Sequence, residues 1–283
     1  MGKPIPREDE LIPSLHLLYG VLSNSLPDGL SPRLRRELEQ LPYYLRGACA
    51  AVIQLEDARL NVRDHFAQLG LSAPAATPWI LNGEQSLVLC LSVDFYFFCL
   101  RRALDALTYY LHGFQQQFNW PDNFPSVLHG IKKKKSWNLD PKILEITTAY
   151  WELVGEKINK YRNTGTHALI VPSDCYMFIT PTGEAKLRML LPHIPEDRQS
   201  MNYDPGVPAM SFLLDSLVTT TQYINQVVNR IVTLKMPPNG RPSAMMFAFS
   251  GRGGPIRIGP GVEHIGEPIP YLFDLTKIAL GGH

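Results

Sequence analysis

The sequence predicts an all-α bundle with one inserted β-hairpin and an irregular, Gly/Pro-rich C-terminal tail. Three observations carry this. Long segments repeat apolar residues at the helical period and open on cap-plus-proline pairs, Ser31-Pro32 and Asp140-Pro141. After His167 the period shortens to that of strands over residues 175–180 and 185–191, which flank Pro181-Thr182-Gly183-Glu184. Beyond Met236 glycine and proline take over, as in Ser250-Gly251-Arg252-Gly253-Gly254-Pro255. The expected layout is an N-terminal segment at 1–30, a helical domain at 31–235 with its hairpin at about 174–191, and a tail at 236–283. With 283 residues, 45% of them hydrophobic, the chain can bury a sizeable core.

Each element follows from local chemistry. Residues 11–22 form a short amphipathic candidate framed by proline and glycine. Ser31 caps and Pro32 opens a helix that runs towards Gly70, and Pro42 divides it into a short first piece and a long second one, because the ring removes a hydrogen bond and clashes with the preceding turn. The prolines and small residues of 71–82 predict a loop. The next helix, about 84–118, is the most apolar in the chain. Its few charges, Asp94, Arg101 and Asp105, are spaced so that all three lie within roughly 40° of arc at about 100° per residue, a polar stripe on an otherwise buried rod. Residues 119–140 read as a linker, and Asp140-Pro141 opens a helix that extends to about Asn163, where Gly165 is placed to end it. A last long helix spans about 208–234.

Composition excludes several classes of function. The formal net charge of +1 provides no global field for a polyanion, so such binding needs a local patch. Cysteines 49, 90, 99 and 175 show no paired spacing and read as reduced thiols rather than a disulfide framework or a zinc site. The N-terminus lacks the apolar core of a signal peptide, and Pro6 stands where a myristoylation signal carries Ser or Thr, so the expected location is cytoplasmic. The apolar run 87–100 is shorter than the ~20 residues of a spanning helix and contains Asp94, so no membrane is expected and the run reads as a helix buried in a bundle. Residues 250–261 lack the lysine and the strand-to-helix context of a phosphate-binding loop.

The stretch Lys160-Tyr161-Arg162-Asn163-Thr164-Gly165-Thr166-His167 places a cation, an amide and an imidazole within six residues. Arg-to-His pairs five to seven residues apart also occur at Arg59/His65, Arg188/His193 and Arg257/His264. The pair at 162 differs in that the polar Asn163 follows its arginine and in that it closes a long amphipathic helix. Arg162 supplies a permanent charge with bidentate hydrogen bonds for phosphate oxygens, and His167 exchanges protons near neutral pH. Asn163 is suited to orient the imidazole or to hold a phosphate oxygen. A structural reading of the same residues has Arg162 capping helix carbonyls and His167 satisfied in a turn. Asp94, Arg101 and Asp105 are either a supporting shell that orients Arg162 or His167, or an ion-pair ladder. Lys132, Lys133, Lys134 and Lys135 with Trp137 are either an RNA-contacting patch with a stacking platform or a solvated loop.

Arg162-Asn163-Thr164-Gly165-Thr166-His167 resembles the signature of HEPN domains, an arginine, a polar residue, three variable residues and a histidine. Residues 94–105 are similar to the second long helix of that superfamily. The resemblance implies a bundle of four or more helices and a metal-independent endoribonuclease of toxin-antitoxin, antiviral-defence or RNA-processing type. It also implies a homodimer that brings two sets of site residues together, no cofactor and no metal, RNA as substrate, and an inhibitory protein partner where the chain acts as a toxin. The expected products are a 2′,3′-cyclic phosphate and a 5′-hydroxyl. The inserted hairpin, the tail and Gly165 within the signature depart from the family pattern. The rival expectation is a non-catalytic helical module that binds a protein partner or a nucleotide.

Overall fold

Pro42 divides the first long helical segment by being seated where a helix tolerates proline. In the computed structural model α1 (Pro32–Glu39) ends at a turn on Gln40, and α2 (Leu41–Gln68) begins one residue before Pro42, whose missing N–H costs nothing in a first turn. The structure describes residues 32–69, 77–81, 83–115, 121, 123–133, 139–167, 174–179, 185–193, 202–235, 246–249 and 255–258. The chain then runs through β1 (Thr77–Ile80), α3 (Gly83–Gln115), α4 (Phe124–Lys132), α5 (Pro141–Tyr150), a π-helical turn (Trp151–Gly155), α6 (Glu156–His167), β2 (Asp174–Ile179), β3 (Ala185–His193), β4 (Asn202–Pro208), α7 (Ala209–Lys235), β5 (Met246–Phe249) and β6 (Pro255–Ile258).

The fold is all-α with an inserted hairpin, and the hairpin is β2–β3, in register from Asp174↔Leu190 to Ile179↔Ala185. Several details differ from the sequence reading. The hairpin is widened to the antiparallel order β1-β2-β3-β4 by β1, from a stretch read as loop, and by β4. Both edge strands carry proline, Pro78 on β1 and Pro205 and Pro208 on β4, which removes donors from the edges and blunts them against further pairing. α4 forms inside the stretch read as linker, capped by Asn123, whose side chain accepts from the Ser126 N–H, with Pro125 in its first turn. The tail contains a second two-stranded pairing, β5 with β6. The helix opened by Asp140 is interrupted by the π turn and continues through Gly165 to His167, so Gly165 does not end it. Residues 11–22, Lys134, Lys135 and Trp137 lie outside the described residues.

The chain packs as two compact units, each assembled from separated stretches. The first takes Met1–Arg46, Cys99–Gly155 and Val218–His283, and the second takes Gly47–Phe98 and Glu156–Leu217. The first unit is centred on aromatic rings and hydroxyls. Tyr150 and Tyr223 stack at 4.2 Å, and Phe124 meets both edge-on. The Tyr150 hydroxyl pairs with Thr220 Oγ1 at 2.9 Å and the Tyr223 hydroxyl with Thr147 Oγ1 at 3.1 Å, so the buried polar tips are satisfied. Burial raises both phenols above their ordinary pKa. Gly155 sits beneath these rings, because a Cβ there would lie 3.0 Å from Trp151 Cε3 and from Tyr150 Cε1. Asp140 caps α5 by accepting from the Lys142 and Ile143 N–H groups, and it holds Arg230 of α7 through contacts of 2.9 and 2.7 Å.

Candidate functional site

The signature residues lie on the last turns of α6, in the second unit. Tyr161 fixes this end of the helix. It is buried, stacks on Phe97 of α3 at 4.8 Å, meets Phe212 of α7 edge-on, and donates its hydroxyl to the Pro192 carbonyl of β3 at 2.7 Å. Three elements therefore hold the residue that precedes Arg162. On α3, Tyr96 anchors the same region by donating to the Leu213 carbonyl at 2.6 Å beside Ser216.

This packing brings Asp94, one helical turn before Phe97, into the field of Arg162. Desolvation raises the Asp94 carboxyl above its ordinary pKa, and the Arg162 guanidinium opposes that rise. Arg162 Nη1 donates to Asn163 Oδ1 at 3.2 Å while its Nε is shielded from solvent. Both side chains are half-buried. The result is a carboxylate, a guanidinium and an amide grouped where α3 and α6 meet, with part of the group open to solvent. His167 is the final residue of α6, and its imidazole lies outside the described part of the structure. Five residues along a helix separate the positions of Arg162 and His167 by about 140° around the axis and about 7.5 Å along it.

The other residues of the predicted stripe pair with each other. Arg101 and Asp105 belong to the first unit, where they form a buried i,i+4 ion pair at 3.0 Å, and the same Asp105 oxygen accepts the Phe124 N–H at 2.9 Å. Asp105 thus fastens the start of α4 to α3. Lys132 ends α4, and the exposed Lys133 follows it with its backbone N–H donating to the His129 carbonyl. α3 is also less enclosed than its composition suggests, since Leu87, Val88, Leu91, Phe95 and Phe98 on its first half face solvent. Apolar content marked this helix as a core element, but the amount of apolar surface does not say how many neighbours cover it.

Two features of this region were missed in the sequence. The anchoring by Tyr161 and Tyr96 depends on pairings over large sequence separations, and the π turn that precedes α6 leaves no local signal beyond Gly155. Among the described residues Cys49, Cys90 and Cys99 are free thiols, and burial pushes Cys99 up to about 12, which keeps it protonated. No group of three or more His, Cys, Asp or Glu among the described residues is arranged to hold a metal ion, and no described helix is long and apolar enough to cross a membrane. No family model, no curated protein and no solved structure matches the chain.

Proposed function

We propose that the protein is a metal-independent endoribonuclease of HEPN type, acting through Arg162, Asn163 and His167. The observation that carries this reading is the grouping of Asp94 with Arg162 and Asn163 at a solvent-reached junction of α3 and α6, immediately before His167. A guanidinium that donates to an amide oxygen within the field of a carboxylate is suited to the oxygens of a phosphodiester.

RNA supplies its own nucleophile. A base takes the proton of the 2′-OH, the 2′-oxygen attacks phosphorus, the bond from phosphorus to the 5′-oxygen breaks, and an acid returns a proton to that oxygen. His167 serves as base or acid, Arg162 neutralises the charge that builds on the equatorial oxygens, and Asn163 holds a phosphate oxygen or the imidazole. Asp94 acts as a positioning residue through Arg162. The Arg162-to-His167 stretch supplies one imidazole per chain, so base and acid drawn from it call for two copies. RNA is then the substrate, and an inhibitory protein partner is the natural restraint if the chain acts as a toxin.

The test is incubation of RNA with the protein in EDTA, alongside an oligonucleotide whose 2′-hydroxyls are replaced by hydrogen. The reading expects fragments ending in 2′,3′-cyclic phosphate and 5′-hydroxyl from RNA, and none from the deoxy strand. Cleavage of both strands, or of neither, overturns it, and the second outcome moves the assignment to a non-catalytic helical module.

A further inference from the structure

Asp94 marks a boundary on α3. At about 100° per residue, the buried Phe97, Val93 and Leu89 lie to one side of it, roughly 60°, 100° and 140° away. Phe98, Leu91 and Phe95 lie to the other side, roughly 40°, 60° and 100° away. With Leu87 and Val88 alongside, these five residues are each 43–48% exposed. An apolar stripe thus begins where the group of Asp94, Arg162 and Asn163 ends. Within it the rings of Phe95 and Phe98 stack on each other, 6.5 Å apart and 18° from parallel. On α6, Tyr161 faces Phe97, and Arg162 comes next around the helix, followed by Asn159 and Asn163 within roughly 100° of arc. Arg162, Asn159 and Asn163 are half-buried. Both helices therefore lead outward from the Phe97–Tyr161 contact, α3 to an aromatic wall and α6 to a polar one.

We propose that Phe98, backed by Phe95, is a stacking platform for an unpaired nucleobase, next to a phosphate bound at Arg162. The unlike chemistry of the two walls selects this occupant. A purely apolar partner would cover the rings but would desolvate the guanidinium and the amides at a cost. A small anion would suit Arg162 and leave the rings in water. A nucleotide carries both a phosphate for the guanidinium and a flat base for the ring face. At a helix radius of about 5–6 Å, 40–100° of arc place the rings about 4–10 Å from the line of Asp94. That span is within reach of the base of a nucleotide whose phosphate sits at Arg162. Every base has a ring face, and a duplex encloses it between stacked neighbours, so the platform selects unpaired strands rather than one particular base. In naming single-stranded RNA as the substrate class, the inference rests on the ribonuclease reading.

The probe is a short single-stranded deoxyoligonucleotide, which offers phosphates and bases but no 2′-hydroxyl nucleophile. It is compared with the same strand lacking its bases and with its duplex, and binding to the full chain is read by fluorescence anisotropy at one fixed salt concentration. The wild type is expected to bind the intact strand about tenfold or more tighter than the abasic strand or the duplex. Phe98→Leu, which keeps an apolar side chain on α3, should lose that preference while binding the abasic strand as the wild type does. Phe98→Trp should keep the preference, which separates a lost platform from lost folding. In RNA cleavage, Phe98→Leu should raise KM about tenfold and leave kcat nearly unchanged. A wild type without preference for the intact single strand, or a Phe98→Leu variant that retains one, would overturn the proposal. The preference in a protein that cleaves no RNA would keep the platform and remove the nuclease, and RNA cleavage by Phe98→Leu with an unchanged KM would do the reverse.

Discussion

The two halves of α3 differ in what surrounds them. Residues 99–115 carry the buried Arg101–Asp105 pair and contribute to the first unit, whose centre is the sealed cluster of Tyr150, Tyr223, Phe124 and Trp151. Residues 83–98 carry the half-buried Asp94 and the exposed apolar stripe in the second unit. In the first case the Arg101–Asp105 pair and the Tyr150 and Tyr223 hydroxyls have specific partners, so a substitution there removes stability. In the second, Asp94 is incompletely compensated by Arg162 and stays partly open to water, the condition expected of groups kept for binding or chemistry. One helix thus serves packing along one stretch and a candidate site along another.

The contrast can be tested from the strongest effect downward. Asp105→Ala leaves Arg101 buried without its carboxylate and orphans the Phe124 N–H, so denaturant unfolding should show a loss of about 3–5 kcal/mol. Gly155→Ala forces a Cβ against the Tyr150 and Trp151 rings and should cost about 1–3 kcal/mol by the same measurement. Tyr150→Phe removes the bond to Thr220 Oγ1 and should cost about 1 kcal/mol.

The two carboxylates that respond to pH should do so with opposite signs. The hydrogen bond from Arg230, helped by the N–H groups of α5, holds Asp140 below the usual carboxylate range. Its contribution is present above the unfolded pKa of about 3.9 and is lost as pH falls through the folded value. Thermal melts of Asp140→Asn should therefore lie below wild type at neutral pH and converge with it in acid. Burial raises Asp94 instead, so its ionised form weighs against the folded state at neutral pH. Asp94→Asn should melt no lower than wild type at pH 7, and any advantage should fade as pH falls through the raised folded value towards about 3.9. The same variant should lower RNA cleavage or phosphate affinity. If it changes neither, Asp94 has no positioning role.

Much of the fold was legible because it rests on local chemistry. Asp140-Pro141 announces α5 through a side chain that caps its own helix, and Pro42 marks the start of α2 through the donor it lacks. The β2–β3 hairpin was readable from the change of period after His167 and from the Pro181-Thr182-Gly183-Glu184 sequence between its strands. β1 and β4 were not, since four residues containing a proline and seven containing two become strands only when β2 and β3 offer edges to pair with. At the site, Arg162 and Asn163 were legible by type and spacing, and the proximity of Asp94 followed from helix geometry once α6 packed against α3. The anchoring of Tyr161 by Pro192, and the exposure of Leu91 and Phe95, depend on which elements cover a helix, and helical periodicity does not encode that.

The central claim is that Arg162 and His167 are kept for RNA cleavage, and the most direct measurement is the initial rate of RNA cleavage in EDTA by Arg162→Ala and His167→Ala, with a thermal melt of each. The account predicts cooperative melts, somewhat lower for Arg162→Ala because Asp94 loses its offsetting charge, and cleavage reduced about 100-fold or more in both, as expected when a charge-stabilising or proton-transfer group is removed. Cleavage at the wild-type rate by either well-folded variant would contradict it.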